Sequence, residues 1–137
     1  GQQWKTARLV RRILGEMYTD RPDGLAGNED CGQMSSWYVL SAMGFYPVNP
    51  ALGIYVLGSP AFDRVTLRTH GGKCFTVIAE NSSEENIYIQ SAELDGRPYP
   101  YSYIRHADLL RGGTLRLKMG PKPSDFGSDP QHRPIEQ

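Results

Sequence analysis

Apolar residues in the first part of the chain recur at three- and four-residue steps: Trp4, Ala7, Leu9, Val10, Ile13, Leu14 and Met17. Lys5, Arg8, Arg11, Arg12 and Glu16 fall largely between them, the pattern of an amphipathic helix with one face for a core and one for water. The run ends in YTDRPDG (18–24), a cluster of turn formers that no helix tolerates. A second helical stripe follows in Gln33, Met34, Trp37, Tyr38, Leu40 and Met43. Gly44 suits a left-handed C-cap, and Pro47 and Pro50 keep the helix from resuming.

Near residue 50 the period changes from helical to two. The runs IYVL (54–57), RVTLR (64–68), FTVI (75–78), IYIQ (87–90) and LRLK (115–118) are short and rich in β-branched and aromatic residues. Glycine-, proline- and asparagine-containing turns separate them, which predicts an antiparallel sheet folded as a sandwich. Asp95-Gly96 reads as a hairpin turn, because both of its positions want positive φ. His106 to Leu110 reads as one helical turn with His106 at its cap, and the Pro-, Ser-, Asp- and Gly-rich stretch 121–137 as a flexible tail. The organisation expected is therefore helices in 1–50, enclosing a loop at 24–33, then a β-rich segment in 51–120, then the tail.

Composition narrows the function classes. With 15 Lys+Arg against 15 Asp+Glu in 137 residues the net charge is zero, and both signs alternate along the chain. Nucleic-acid binding needs a clustered cationic surplus, so it is excluded. The longest apolar run, residues 37–43, is far below the roughly 20 residues of a membrane span. Cys31 and Cys74 lack metal-ligand spacing, and nothing in the sequence pairs them. The Asn81-Ser82-Ser83 triplet is an acceptor for N-glycosylation in a eukaryotic secretory setting. The opening GQQWKT, which starts at or inside a helix, suggests a piece of something longer.

The chemistry concentrates in GNEDCGQM (27–34), with acids and amides set between glycines at the head of the second helix. Two readings fit the residues. Asn28 or Asp30 caps the helix while the acids complement its dipole, which is the commoner arrangement. Alternatively the carboxylates act as acid or base, or bind a hard cation through oxygen. Trp4, Trp37 and the Tyr99, Tyr101, Tyr103 alternation are aromatic enough to stack on sugars, but core or edge packing is the commoner role for aromatics so placed. Ser35 and Ser36 lack the setting of a nucleophilic serine.

GQQWKT, VRRIL and above all PDGLAGNEDCGQMSSWY (22–38) resemble glycoside hydrolase family 92, and the likeness continues through GFYPV, YIQSA and GGTL up to about Lys122. That resemblance implies a C-terminal fragment of a calcium-dependent exo-α-mannosidase, with an α+β fold: the last helices of an (α/α)6 barrel followed by an antiparallel, sandwich-like segment. It implies inversion, with one carboxylic acid protonating the leaving oxygen and a second carboxylate activating water. The base role carries over to Asp30, with Glu29 as second choice. Asn28 stands where some members have an aspartate; an amide takes no proton, so Asn28 becomes a hydrogen-bonding helper to substrate, and Gln33 a further substrate contact. The general acid and most Ca2+ ligands are expected upstream of Gly1, in the missing N-terminal part of the same enzyme. The substrate implied is terminal α-linked mannose, α-1,2 first, on glycans including N-glycans. The compartment implied is periplasmic or extracellular in a bacterium, and the fragment alone is expected to be inactive. The other class of reading is a non-catalytic β-sandwich that binds carbohydrate or serves structure.

Overall fold

Residues 1–134 are described by the computed structural model of the chain. The first stripe forms α1 (Gln3–Glu16), the second α2 (Gln33–Met43). Gly44 closes α2 at φ 104°, donating its amide to the carbonyls of Leu40 and Ser41. A side chain there is excluded twice over, by the left-handed backbone and by Pro60 Cγ, which lies 2.6 Å from where a Cβ would sit.

Three short strands, β1 (Phe45–Tyr46), β2 (Ile54–Leu57) and β7 (Tyr103–Arg105), make one antiparallel sheet in the order β1-β2-β7. A five-stranded sheet is built from β3 (Arg64–Arg68), β4 (Cys74–Glu80), β5 (Tyr88–Leu94), β6 (Arg97–Pro98) and β8 (Gly113–Gly120), in the order β3-β4-β8-β5-β6. Phe45, Leu57 and Ile104 of the first sheet lie in the same buried cluster as Phe75, Leu115, Leu117 and Met119 of the second. The two sheets thus share one core. Phe75, Leu57, Ile104, Leu115 and Leu117 are fully buried, and burying each such side chain contributes about 1.5–3 kcal/mol.

Four expectations need correction. The larger sheet is mixed, because β4 and β8 run parallel with Val77 opposite Leu115 and Ala79 opposite Leu117. Alternation along a strand fixes which face is buried, and says nothing of which strand lies alongside or in which direction. Secondly, β5 carries a bulge between Ile89 and Ser91, so its buried residues Ile89 and Ala92 are three apart instead of two. Thirdly, the segment after Pro121 is held down where a flexible tail was expected. Lys122 O accepts a hydrogen bond from Gln90 Nε2 (2.8 Å), Phe126 packs on the core, and Ser102 donates its amide to His132 O (2.8 Å). Residues 135–137 of the expected tail lie outside the described residues. Finally, α3 (His106–Arg111) starts after an extended Arg105 with no side-chain cap, and His106 Nδ1 instead meets Tyr55 Oη at 2.9 Å.

The Asp95-Gly96 hairpin forms as read, with φ of 52° and 75° joining β5 to β6. The helices are tied to the sheets through polar clamps that the periodicity did not suggest. Gln3, on the first turn of α1, is buried and donates Nε2 to Leu57 O and Gly58 O (3.2 and 3.0 Å). Arg11 donates to Pro60 O and Ser83 O (3.0 and 2.6 Å), and burial lowers its pKa. Among the described residues no helix is long and apolar enough to cross a membrane.

Candidate functional site

The loop between α1 and α2 doubles back on itself. Tyr18 and Leu25 form an antiparallel bridge, Thr19 donates its amide to Gly24 O (2.9 Å), and Ala26 donates to Met17 O (3.2 Å). The chain then enters α2 through Asp30, Cys31 and Gly32, at φ of 52°, 60° and 91°. Left-handed backbone is an ordinary place for one glycine, and costs an L residue such as Asp30 or Cys31 roughly 1–2 kcal/mol. Three in succession make a tight left-handed turn, in which Gln33 donates its amide to Asp30 O (3.3 Å) and Met34 to Glu29 O (3.2 Å). Sustained strain of this kind persists where surrounding contacts over-determine it, and such places cluster at functional sites.

Those contacts centre on Glu29. Its carboxylate takes both hydrogens that Ser35 offers, the amide on Oε1 (3.0 Å) and the hydroxyl on Oε2 (2.9 Å). A charged group here also complements the positive end of α2. This corrects the expected cap: the residue at the N-cap position is Gly32, whose side-chain-free backbone offers no cap, and neither Asn28 nor Asp30 replaces it. Ser36 Oγ donates to Gly32 O (2.7 Å), so both serines are spent on the helix start. Tyr18 adds a strut, its hydroxyl donating to Met34 O (3.1 Å) and its ring stacked on Trp37. Desolvation, then the nearby charge of Glu29, then Tyr46, push the Tyr18 hydroxyl above its ordinary pKa.

Asn28, Asp30 and Gln33 are exposed on this scaffold, and Glu29 is half-buried. The loop thus turns one acid inward to hold its own shape and leaves the other on the surface. At the base of the loop runs a groove of about 430 Å³ lined by Tyr18, Thr19, Asp20, Leu25, Ser35, Tyr38 and Val39. The carboxylate in that lining is Asp20, and Asp30 is exposed outside it; an exposed carboxylate can accept a proton from water or a hydroxyl that reaches it. For a hard cation the oxygens of Asn28, Asp30 and Gln33 are the right chemistry but too few, since calcium takes six to eight. Among the described residues no group of three or more His, Cys, Asp or Glu is gathered to hold a metal.

Of the other aromatic candidates, Trp37 and Tyr103 are held by packing, while Tyr101 is exposed and Trp4 lies outside the core cluster. Trp37 lies between Tyr18, at 5.8 Å and 10° between planes, and Tyr46 at 6.4 Å. Trp4 is covered by Lys5 Nζ and the Arg8 guanidinium, at 5.4 and 5.5 Å from its ring centre. Tyr99, Tyr101 and Tyr103 do not share a strand, since only Tyr103 belongs to β7. They stack edge to face in series, Tyr103 is buried, and Tyr99 donates its hydroxyl to Tyr103 O (3.0 Å). Cys31 and Cys74 are exposed free thiols. Sequence reasoning missed Ser35 as a partner of Glu29. A spacing of six residues is no helical capping signature, and the contact exists only because the left-handed turn folds Glu29 over the helix end.

Comparison with known proteins matches residues 1–121 to the Glycosyl hydrolase family 92 catalytic domain. A solved family GH92 inverting mannosidase from Bacteroides thetaiotaomicron superposes with a TM-score of 0.92 at 40% identity, over 99% of this chain and 19% of that one. A family GH92 α-mannosidase of the same bacterium, solved with mannoimidazole, gives 0.93 at 37% identity, over 98% of this chain and 18% of that one. A protein of Arthroderma benhamiae described as an uncharacterized secreted glycosidase is 35% identical over 131 residues, 93% of this chain and 17% of that protein. The chain therefore spans less than a fifth of the length of these relatives.

Proposed function

The chain belongs to glycosyl hydrolase family 92, and from that membership we propose that the intact protein is an exo-acting α-mannosidase to which these residues contribute the general base. The observation that carries the reading is the Asp30 carboxylate, exposed on a strained left-handed turn at the head of α2 and braced there by Glu29. In an inverting reaction Asp30 takes a proton from the water that attacks the anomeric carbon, while an acid outside this chain protonates the departing oxygen. Asn28 and Gln33, exposed on either side of Asp30 in sequence, hydrogen-bond the sugar hydroxyls. The substrate is terminal α-linked mannose on a glycan, with the α-1,2 linkage first, and N-glycans among the sources.

Calcium belongs to this proposal as a cofactor of the intact protein, where it polarises sugar hydroxyls; most of its ligands come from outside the chain. The exposed apolar side chains of α1, its C-cap and α2, among them Leu9, Met17, Tyr38 and Val39, fit helices that pack on the remainder of an (α/α)6 barrel. Faces of that kind on a small unit mark a surface made to be covered. The fragment by itself is then inactive, lacking the acid and most of the cation site. Export from the cell fits a glycan substrate and the secreted relative.

Hydrolysis of an aryl α-mannoside by the intact protein, with added calcium and then with excess chelator, tests the reading. Activity that chelation removes and calcium restores supports it. No hydrolysis of any α-mannoside in either condition rejects it, and turnover by Asp30→Asn at the unmutated rate rejects the assignment of the base.

A further inference from the structure

We propose that Glu29 is a positioning residue, which fixes the direction of the Asp30 carboxylate by gripping Ser35 on the first turn of α2. The inference rests on the reading of Asp30 as the base. Glu29 and Asp30 are adjacent in sequence and opposite in circumstance: one carboxylate is half-buried with both oxygens committed, and the other is exposed. Between Asp30 and the helix stand only Cys31 and Gly32, both left-handed. Once Glu29 is anchored to Ser35, the chain has the five residues 30–34 in which to turn back, and left-handed backbone at 30–32 supplies that reversal. Releasing the anchor lets Asp30 and Cys31 relax towards ordinary backbone, which swings the Asp30 side chain away from where the turn holds it. The Tyr18 hydroxyl on Met34 O secures the helix side of the same junction.

The geometry also separates positioning from direct chemistry by substitution. Glutamine at 29 still accepts the Ser35 amide on its carbonyl oxygen, and its NH2 group donates to the Ser35 oxygen. Glu29→Gln therefore keeps the clamp while removing the ionisable group. Glu29→Ala removes the clamp whole, while Ser35→Ala removes its hydroxyl half and leaves the residue-35 amide to donate to Glu29 Oε1, without touching any carboxylate. Ser35→Thr keeps both the amide and the hydroxyl.

The experiment is steady-state kinetics of the intact protein on an aryl α-mannoside at saturating calcium, with thermal midpoints as a check on folding. Misplacement of a catalytic group costs up to about a hundredfold in turnover. Expected are a kcat lower by about tenfold or more in Glu29→Ala, a smaller loss in Ser35→Ala, a KM within about twofold of the parent in both, and recovery of most of kcat in Glu29→Gln and Ser35→Thr. The double alanine variant is no worse than Glu29→Ala alone, because that substitution already removes both hydrogen bonds. Glu29→Gln as inactive as Asp30→Asn overturns the proposal in favour of a direct chemical role, and Glu29→Ala with full kcat overturns it in favour of none. An intact protein that hydrolyses no α-mannoside sinks the functional reading itself, and the positioning role with it. Amide exchange at Ser35, slow in the parent and accelerated in Glu29→Ala, reports on the clamp in either case.

Discussion

Tyr18 lies parallel to Trp37, ring centres 5.8 Å apart and planes within 10°. The stack joins the residue just past α1 to the second turn of α2, so the acidic loop is closed at its base by an aromatic pair. The Tyr18 hydroxyl extends the closure to Met34 O at 3.1 Å. The loop is therefore a braced excursion between two fixed points.

Tyr18→Phe removes the hydroxyl and keeps the stack, for an expected loss of about 1 kcal/mol. Tyr18→Leu loses the stack too, adding about 0.5–1.5 kcal/mol. Denaturant unfolding followed by tryptophan emission measures both. Equal stability in all three proteins refutes the brace.

Asp30→Asn removes the carboxylate at a position where asparagine is at ease, since asparagine adopts left-handed backbone more readily than most residues. Stability is expected to be unchanged or slightly higher. Turnover on an α-mannoside is expected to fall by about 10²–10⁴-fold, the usual contribution of a general base. Parallel kinetics and thermal unfolding separate loss of the base from loss of the fold.

Gly44→Ala places a methyl on a residue at φ 104° whose Cβ would meet Pro60 Cγ at 2.6 Å. Pro60 is itself buried, so it has little room to give way. The cost expected is about 1–3 kcal/mol from the backbone alone, with overpacking added. Gly71→Ala, also at positive φ but with open space around the methyl, is the control and should cost less. Thermal midpoints of the two variants decide it.

Burial, with smaller contributions from Asp108 and neighbouring tyrosines, pushes the Tyr99 hydroxyl up to about 12 from its ordinary 10.0. The folded protein then holds this proton where the unfolded chain has released it. Stability is intact below pH 10.0 and declines as pH rises towards about 12. Tyr99→Phe should flatten that decline, at the expense of the hydrogen bond to Tyr103 O, about 1 kcal/mol at neutral pH. Denaturant midpoints across this alkaline range provide the measurement, and an unaltered slope in Tyr99→Phe counts against the assignment.

Much of the architecture was legible because it follows from local rules. The three-and-four spacing from Trp4 to Met17 gave α1, and Gly44 ended α2, because no other residue fits that φ. Asp95-Gly96 gave a hairpin for the same reason. The five β-like runs each became part of a strand, while β1 and β7, at two and three residues, are too short for periodicity to register. The segment after Pro121 misled, since its composition is that of a solvated tail while its anchoring depends on Phe126 and on partners as distant as Gln90 and Ser102.

At the acidic loop the division is sharpest. Residue types alone determined that carboxylates, amides and glycines meet at a helix start, and that family likeness singles out Asp30. They also determined where helices and strands begin to be favourable, because propensity, capping and turn chemistry act within a few residues. Only the tertiary structure decided which acid faces inward, that Glu29 and not Asn28 or Asp30 secures α2, and that β4 lies parallel to β8. Those outcomes depend on which surfaces close over one another. Such a choice is made by the packing of the whole chain, and no window of neighbouring residues contains it.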